Sequence, residues 1–377
     1  MDYTITPGGS QTRSKGRHAF PSAYPESIVS GVGARVRDAA GNEYVDFICS
    51  LGAISLGHGY PPVVDAVTRQ LARGTIFSLP NPLETEVAER LLGLVPCGRN
   101  GMVRWLKSGS EACAAAVRVA RAATGRDVVL VCGYHGNLDW YAASRPEHPG
   151  VPKVMESLIM SFTYNNIASL DAALDAHHGN IAAIMMEPTL IEAPQPGFLE
   201  AVRDRATRSG AVLIFDEMVT GFRWHAGGAQ ALYGIIPDLA CFGKALGGGF
   251  PISALVGSRD VMRHAILIST TFGGDCIGLA AADATLARYQ EGGVCEHMWR
   301  LGGLLMEGYN KLALTLGAPT RMVGQPPHPV IRWDELPDGQ MGPNRHRASL
   351  FFEETGKRGH LMHPEGLNVM LATTEED

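Results

Sequence analysis

The middle of the chain alternates between short apolar runs and longer stretches with helical spacing. Val103–Leu106, Val128–Cys132, Ile181–Met186, Ala211–Phe215, Leu239–Phe242 and Ile252–Val256 are strand-sized and end near turn or polar residues. Runs of that length read as strands covered on both faces, as in a parallel sheet with helices on either side. Between them, Glu111–Ala123 and Phe198–Arg208 carry helical periodicity. Each is followed by a glycine, Gly125 and Gly210, able to take the left-handed conformation that ends a helix. Alternating strands and helices predict an α/β fold with a mostly parallel central sheet. The Pro- and Gly-rich stretch 324–343 predicts an irregular connection inside a second domain.

Composition narrows the class. At 377 residues and 45% hydrophobic, the chain can bury a large core and exceeds one average domain, so a large domain with a smaller companion is expected. The net charge of -6 offers no basic stripe for a phosphate backbone, which argues against nucleic acid as a partner. The first twenty residues lack the apolar core of a signal peptide, and no apolar run approaches a membrane span. A soluble, cytoplasmic protein with no membrane partner is expected. The seven cysteines contain no C-x-x-C pair and predict neither a metal site nor a disulfide framework, only reduced, mostly buried residues.

Four features carry candidate chemistry. The strand ending at Asp216-Glu217 delivers a carboxylate to the sheet edge where α/β proteins bind ligands, and a protonated pyridine nitrogen is a suitable partner. A cap on the next turn is the plainer alternative for Asp216. Lys244 follows another apolar strand and precedes Gly247-Gly248-Gly249, so burial can leave it a neutral amine able to form an imine; a surface lysine at a glycine turn is the alternative. Lys107-Ser108-Gly109-Ser110-Glu111 sits between strand and helix, where free N–H groups and the helix dipole favour phosphate, or where a serine simply caps the helix. Gly133-Tyr134-His135-Gly136 places an aromatic ring that could stack on a planar ligand, or residues that are merely structural.

Taken in order, these features resemble the class III, fold type I aminotransferases that use pyridoxal 5′-phosphate (PLP), and within them most of all the glutamate-1-semialdehyde aminomutase branch. The resemblance runs over almost the whole chain. It includes Pro7-Gly8-Gly9, Leu56-Gly57-His58, Ser108 to Ala112, Thr124-Gly125-Arg126, Tyr134-His135-Gly136, Glu187-Pro188, Asp216-Glu217, Thr220 to Arg223, Pro237-Asp238-Leu239, Gly243-Lys244 and Thr271-Phe272. It implies Lys244 as the Schiff-base lysine and proton shuttle, Asp216 at the pyridine nitrogen, and Gly109 and Ser110 at the phosphate. Tyr134 and Met218 would cover the two ring faces, and Glu187 would support the site. Thr271 would reach the neighbouring subunit's cofactor phosphate, which implies a homodimer with composite sites. The implied layout joins residues 1–50 to a small α+β domain at 286–377, around a large PLP-binding domain at 51–285.

Departures from the family pattern fall on the substrate side. The arginine expected after Pro-Gly-Gly is missing, leaving Arg13 or Lys15 as substitutes; Leu51 replaces an aromatic residue, and Glu192 stands where an asparagine is expected. Beyond Thr374-Glu375-Glu376-Asp377, roughly one to two further helices would be expected, so a natively short or a truncated small domain is anticipated. The leading expectation is transfer of an amino group from a donor to a carbonyl acceptor by way of pyridoxamine phosphate, with the intramolecular aminomutase as alternative. A non-catalytic binding descendant is more remote. A dinucleotide-binding dehydrogenase would need G-x-G-x-x-G after the first strand, which the chain lacks.

Overall fold

A computed structural model describes residues 5–335, 341–342 and 345–377. Two compact units divide the chain, Met1–Tyr60 with Gly293–Asp377, and Pro61–Gly292. In the first, β1 (Ile28–Val32), β2 (Arg35–Asp38) and β3 (Glu43–Asp46) form an antiparallel meander. A left-handed turn follows, with φ of 51°, 51° and 59° at Cys49, Ser50 and Leu51. Asp46 Oδ1 holds its entrance by accepting the N–H groups of Ile48 and Cys49, which offsets part of the cost of left-handed backbone at residues with a Cβ.

The second unit is built on seven strands: β4 (Met102–Leu106), β5 (Val128–Cys132), β6 (Ile159–Ser161), β7 (Ile181–Met186), β8 (Val212–Asp216), β9 (Leu239–Phe242) and β10 (Ser253–Gly257). Their order is β4-β10-β9-β8-β7-β5-β6. Only β10 runs against its neighbours. All residues of β5, β7, β8, β9 and β10 are buried. Val129, Val131, Met185 and Ile214 pack in one core, and Leu130, Ile184, Leu213 and Phe215 in the other. This is the two-faced burial that near-continuous apolar runs require. The helices Gly109–Thr124 and Phe198–Ser209 end at Gly125 (φ 66°) and Gly210 (φ 67°), as expected.

The first unit is completed by β11 (Thr320–Gln325), β12 (His328–Glu335), β13 (Met341–Gly342) and β14 (His360–Leu361). β14 adds to β3 in parallel, giving the smaller sheet contributions from both chain ends. The expectation of an irregular connection over 324–343 is corrected here. β11 and β12 pair as a hairpin from Thr320↔Trp333 to Gln325↔His328. Pro326-Pro327 sit at its turn, and Pro329 is taken into β12 opposite Gly324. Residues 336–340 and 343–344 of that stretch lie outside the described residues. No helix among the described residues is long and apolar enough to cross a membrane. All seven cysteines are buried and unbridged.

Candidate active site

Because β4, β5, β7, β8 and β9 run in the same direction, the residues following their carboxyl ends share one edge of the sheet. That edge receives Lys107–Ser110, Gly133–Asn137, Glu187, Asp216 and Lys244. Ligands of open α/β sheets bind there for the same topological reason.

Asp216 is 2% exposed, so its charge must be met by protein groups. Its Oδ1 accepts the N–H of Met218 at 3.1 Å, and its Oδ2 lies 2.8 Å from His135 Nδ1 and 3.4 Å from Cys113 Sγ. The turn-capping alternative is therefore realised through Oδ1, while Oδ2 meets the two side chains. His135 is itself buried, and its Nε2 has no partner among the described residues.

Lys244 opens a short helical turn at φ 44°, a left-handed conformation that costs a side-chain-bearing residue on the order of 1–3 kcal/mol. Burial pushes its pKa down, while the charges of Glu187 and Asp216 oppose that shift. Glu187, just past β7, moves the other way: burial raises its pKa and the Asp216 charge adds to the effect. Its Oε1 accepts the N–H of Tyr134 at 2.7 Å, which orients the loop after β5. Tyr134 is 54% exposed, and its ring meets Tyr141 edge-on.

At the helix Gly109–Thr124, Ser108 and Glu111 form a reciprocal capping box. Glu111 also accepts the N–H of Lys107, at 2.9 Å. These bonds consume the N–H groups of residues 107, 108 and 111, leaving those of Gly109 and Ser110 without an acceptor among the described residues. The cap thus narrows the anion seat to two donors without abolishing it. Asn137 N–H donates to Ser110 Oγ at 3.3 Å, tying the Tyr134 loop to that seat. Met218 packs between Gly109 and Gly243, since a Cβ at either glycine would stand 2.7 Å from its Sδ.

Thr271 is exposed, in a loop whose neighbours Leu267 and Phe272 are also exposed. Lys107 pairs with Asp275 and donates to the Pro251 carbonyl, at 2.9 Å, so it is committed to the protein. Arg13 and Lys15 belong to the other unit and are exposed. Lys15 donates to Ser50 Oγ at 3.3 Å and lines a cavity of about 320 Å³ with Phe20, Tyr24, Ile48 and His58. Glu192 is exposed. His135 and Cys113 are the residues that sequence reading passed over. His135 lay inside a quoted motif, and Cys113 sits four residues past Gly109, about one helical turn away.

A carboxylate and a lysine thus stand on adjacent strand ends of one sheet edge, which also carries a helix N-terminus with two unbonded N–H groups. The chain belongs to the class III aminotransferase family, whose model, Aminotransferase class-III, matches residues 21–318. It is thus a member of a PLP-dependent enzyme family. A glutamate-1-semialdehyde 2,1-aminomutase of Roseiflexus castenholzii is 38% identical over 330 residues, covering 82% of this chain and 75% of that one. A 3-aminobutyryl-CoA aminotransferase of Cloacimonas acidaminovorans is 35% identical over 337 residues, covering 87% and 80%. The FumI protein of a Sphingopyxis species, solved in its PLP internal aldimine form, superposes with a TM-score of 0.92 at 28% identity, over 99% of this chain and 90% of that one.

Proposed function

We propose that this enzyme moves an amino group from a separate amino donor to a carbonyl acceptor, with Lys244 as the residue that holds PLP and carries the proton. The observation behind this reading is Lys244 itself, a strained lysine at a strand end whose pKa is lowered by burial. When bound, PLP would act as the electron sink for the carbon being deprotonated. A neutral Lys244 Nζ can take a proton at one carbon and return it at another, the work of a general base and then a general acid.

The residues present fit that cofactor. A carboxylate offers about four acceptor positions, and Asp216 fills three, leaving one on Oδ1 for a cationic ring nitrogen. The free N–H groups of Gly109 and Ser110 suit a phosphate at a helix N-terminus. Met218 and Tyr134 would pack on the two ring faces, and Glu187 would hold Tyr134 in position. We further propose a homodimer in which Thr271 completes the partner's phosphate site. The exposed apolar residues around Thr271 support coverage by a second copy. Lys15, beside a cavity and Ser50, is the better candidate than Arg13 to meet a substrate carboxylate, and Glu192 remains a candidate substrate contact.

The aminotransferase relative supports an intermolecular reaction, and so do the changes at Leu51 and Glu192. The aminomutase relative supports the second reading, amino transfer within one molecule of glutamate-1-semialdehyde. The two differ in whether a donor alone is consumed. Mixing the PLP-loaded enzyme with L-glutamate and a panel of other amines, without acceptor, should release about one equivalent of carbonyl product per site. Turnover of glutamate-1-semialdehyde alone, with no product from any donor, would establish the aminomutase instead.

A further inference from the structure

Asp216 is approached by three donors, and the least expected is a thiol. Cys113, in the second turn of the helix Gly109–Thr124, places its Sγ 3.4 Å from Asp216 Oδ2, the same oxygen that meets His135 Nδ1. Both Cys113 and Asp216 are almost wholly buried, at 1% and 2% exposure. Cys241, on β9, is fully buried as well. Burial pushes the Cys113 thiol well up, and its contact with Cys241 and the Asp216 charge push the same way, so it keeps its proton. The protonated thiol is thus the donor in its contact with Asp216 Oδ2.

The three donors come from three places: Met218 from the turn after β8, His135 from the loop after β5, and Cys113 from the helix after β4. Two of them converge on Oδ2. A carboxylate held at one oxygen by a single donor can still swing about its side-chain torsion, whereas two donors from different elements fix its plane. A thiol is also a weak donor.

We propose that Cys113 is a positioning residue for Asp216: its S–H fixes Oδ2 and leaves the free acceptor position on Oδ1 for the cofactor's cationic ring nitrogen. The role rests on the PLP reading above and uses Cys113 as neither nucleophile nor redox group. The thiol acts only through Asp216, and that dependence can be measured.

The first arm uses the PLP-free protein. The infrared S–H stretching band that disappears in Cys113→Ala should move toward the frequency of a free thiol in Asp216→Ala; an unmoved band overturns the contact. The second arm is an equilibrium PLP titration followed by protein fluorescence. Cys113→Ala should weaken binding about 3-fold, the scale of one weak hydrogen bond. Cys113→Ser, which keeps a donor at similar volume, should stay within about 2-fold of wild type, a difference smaller than one hydrogen bond's worth. In an Asp216→Ala background, Cys113→Ala should add no further loss. An undiminished loss in that background, or no loss in the single variant, overturns the role. A wild-type protein that binds no PLP sinks the cofactor reading and the role with it, and the infrared arm separates that failure from a failure of the contact.

Discussion

Glu187 carries the most readable electrostatics among the residues of the sheet edge. Its pKa is raised from the ordinary 4.5, first by burial and then by the Asp216 charge, against the Tyr134 N–H bond and the charges of His135 and Lys244. Between the unfolded and folded values, the native state holds the extra proton. The stability Glu187 contributes is therefore fully present below pH 4.5 and is lost as pH rises through its folded pKa. Denaturant titrations of the PLP-free protein should show wild type losing stability relative to Glu187→Gln as pH climbs above 4.5. A pH-independent difference would contradict the account. Lys244 titrates in the opposite sense, since a lowered lysine pKa makes stability rise with pH. The contacts around Asp216 were hidden in the sequence: His135 and Cys113 are 81 and 103 residues from it, and no local pattern announces a contact that distant.

Elements meet at this edge through backbone that has no room to spare. Gly136 has φ 102°, and a Cβ there would stand 2.8 Å from Ser110 Cα. Gly136→Ala should cost about 1–3 kcal/mol, from left-handed strain and overpacking together. It should also displace Ser110 from the anion seat, so a urea midpoint and a PLP affinity that both stay at wild-type values would refute the contact. At this scale the sequence was legible where one property decided the outcome. Uninterrupted apolar runs marked the strands from Val128–Cys132 to Leu239–Phe242, and glycines at 125 and 210 marked the helix ends. It was opaque where partners decided. The reversed direction of β10 depends on which strands it pairs with, and the Pro- and Gly-rich stretch from 324 read as an irregular connection until the strands flanking Pro326-Pro327 paired.

For the whole molecule, the central question is whether one copy is complete. Ile266, Leu267 and Phe272 are 77%, 83% and 57% exposed on either side of Thr271, and Thr75 on a neighbouring loop accepts the N–H of Cys276. Phe77 and Leu79, on that second loop, are exposed as well, extending the apolar surface. Apolar area of that kind favours burial against another chain. Leu267→Glu combined with Phe272→Glu should convert a dimer to monomers in light scattering and lower PLP affinity by about 10-fold or more, the scale of losing one charge-assisted contact to phosphate. Monomers that retain full PLP affinity would show that Thr271 serves no partner. The layout of strands and the family were readable from the chain, whereas the exposed apolar cluster around Thr271 was not, because single exposed apolar residues mean little until folding gathers them.

The most direct test of the account is chemical trapping of the cofactor lysine. The protein would be loaded with PLP, reduced with borohydride, digested and mapped by mass spectrometry. The reduced cofactor should be found on the peptide containing Lys244 and be lost in Lys244→Ala, which should still fold and be inactive. Labelling of Lys107 or any other lysine in its place, or none at all, would contradict the account.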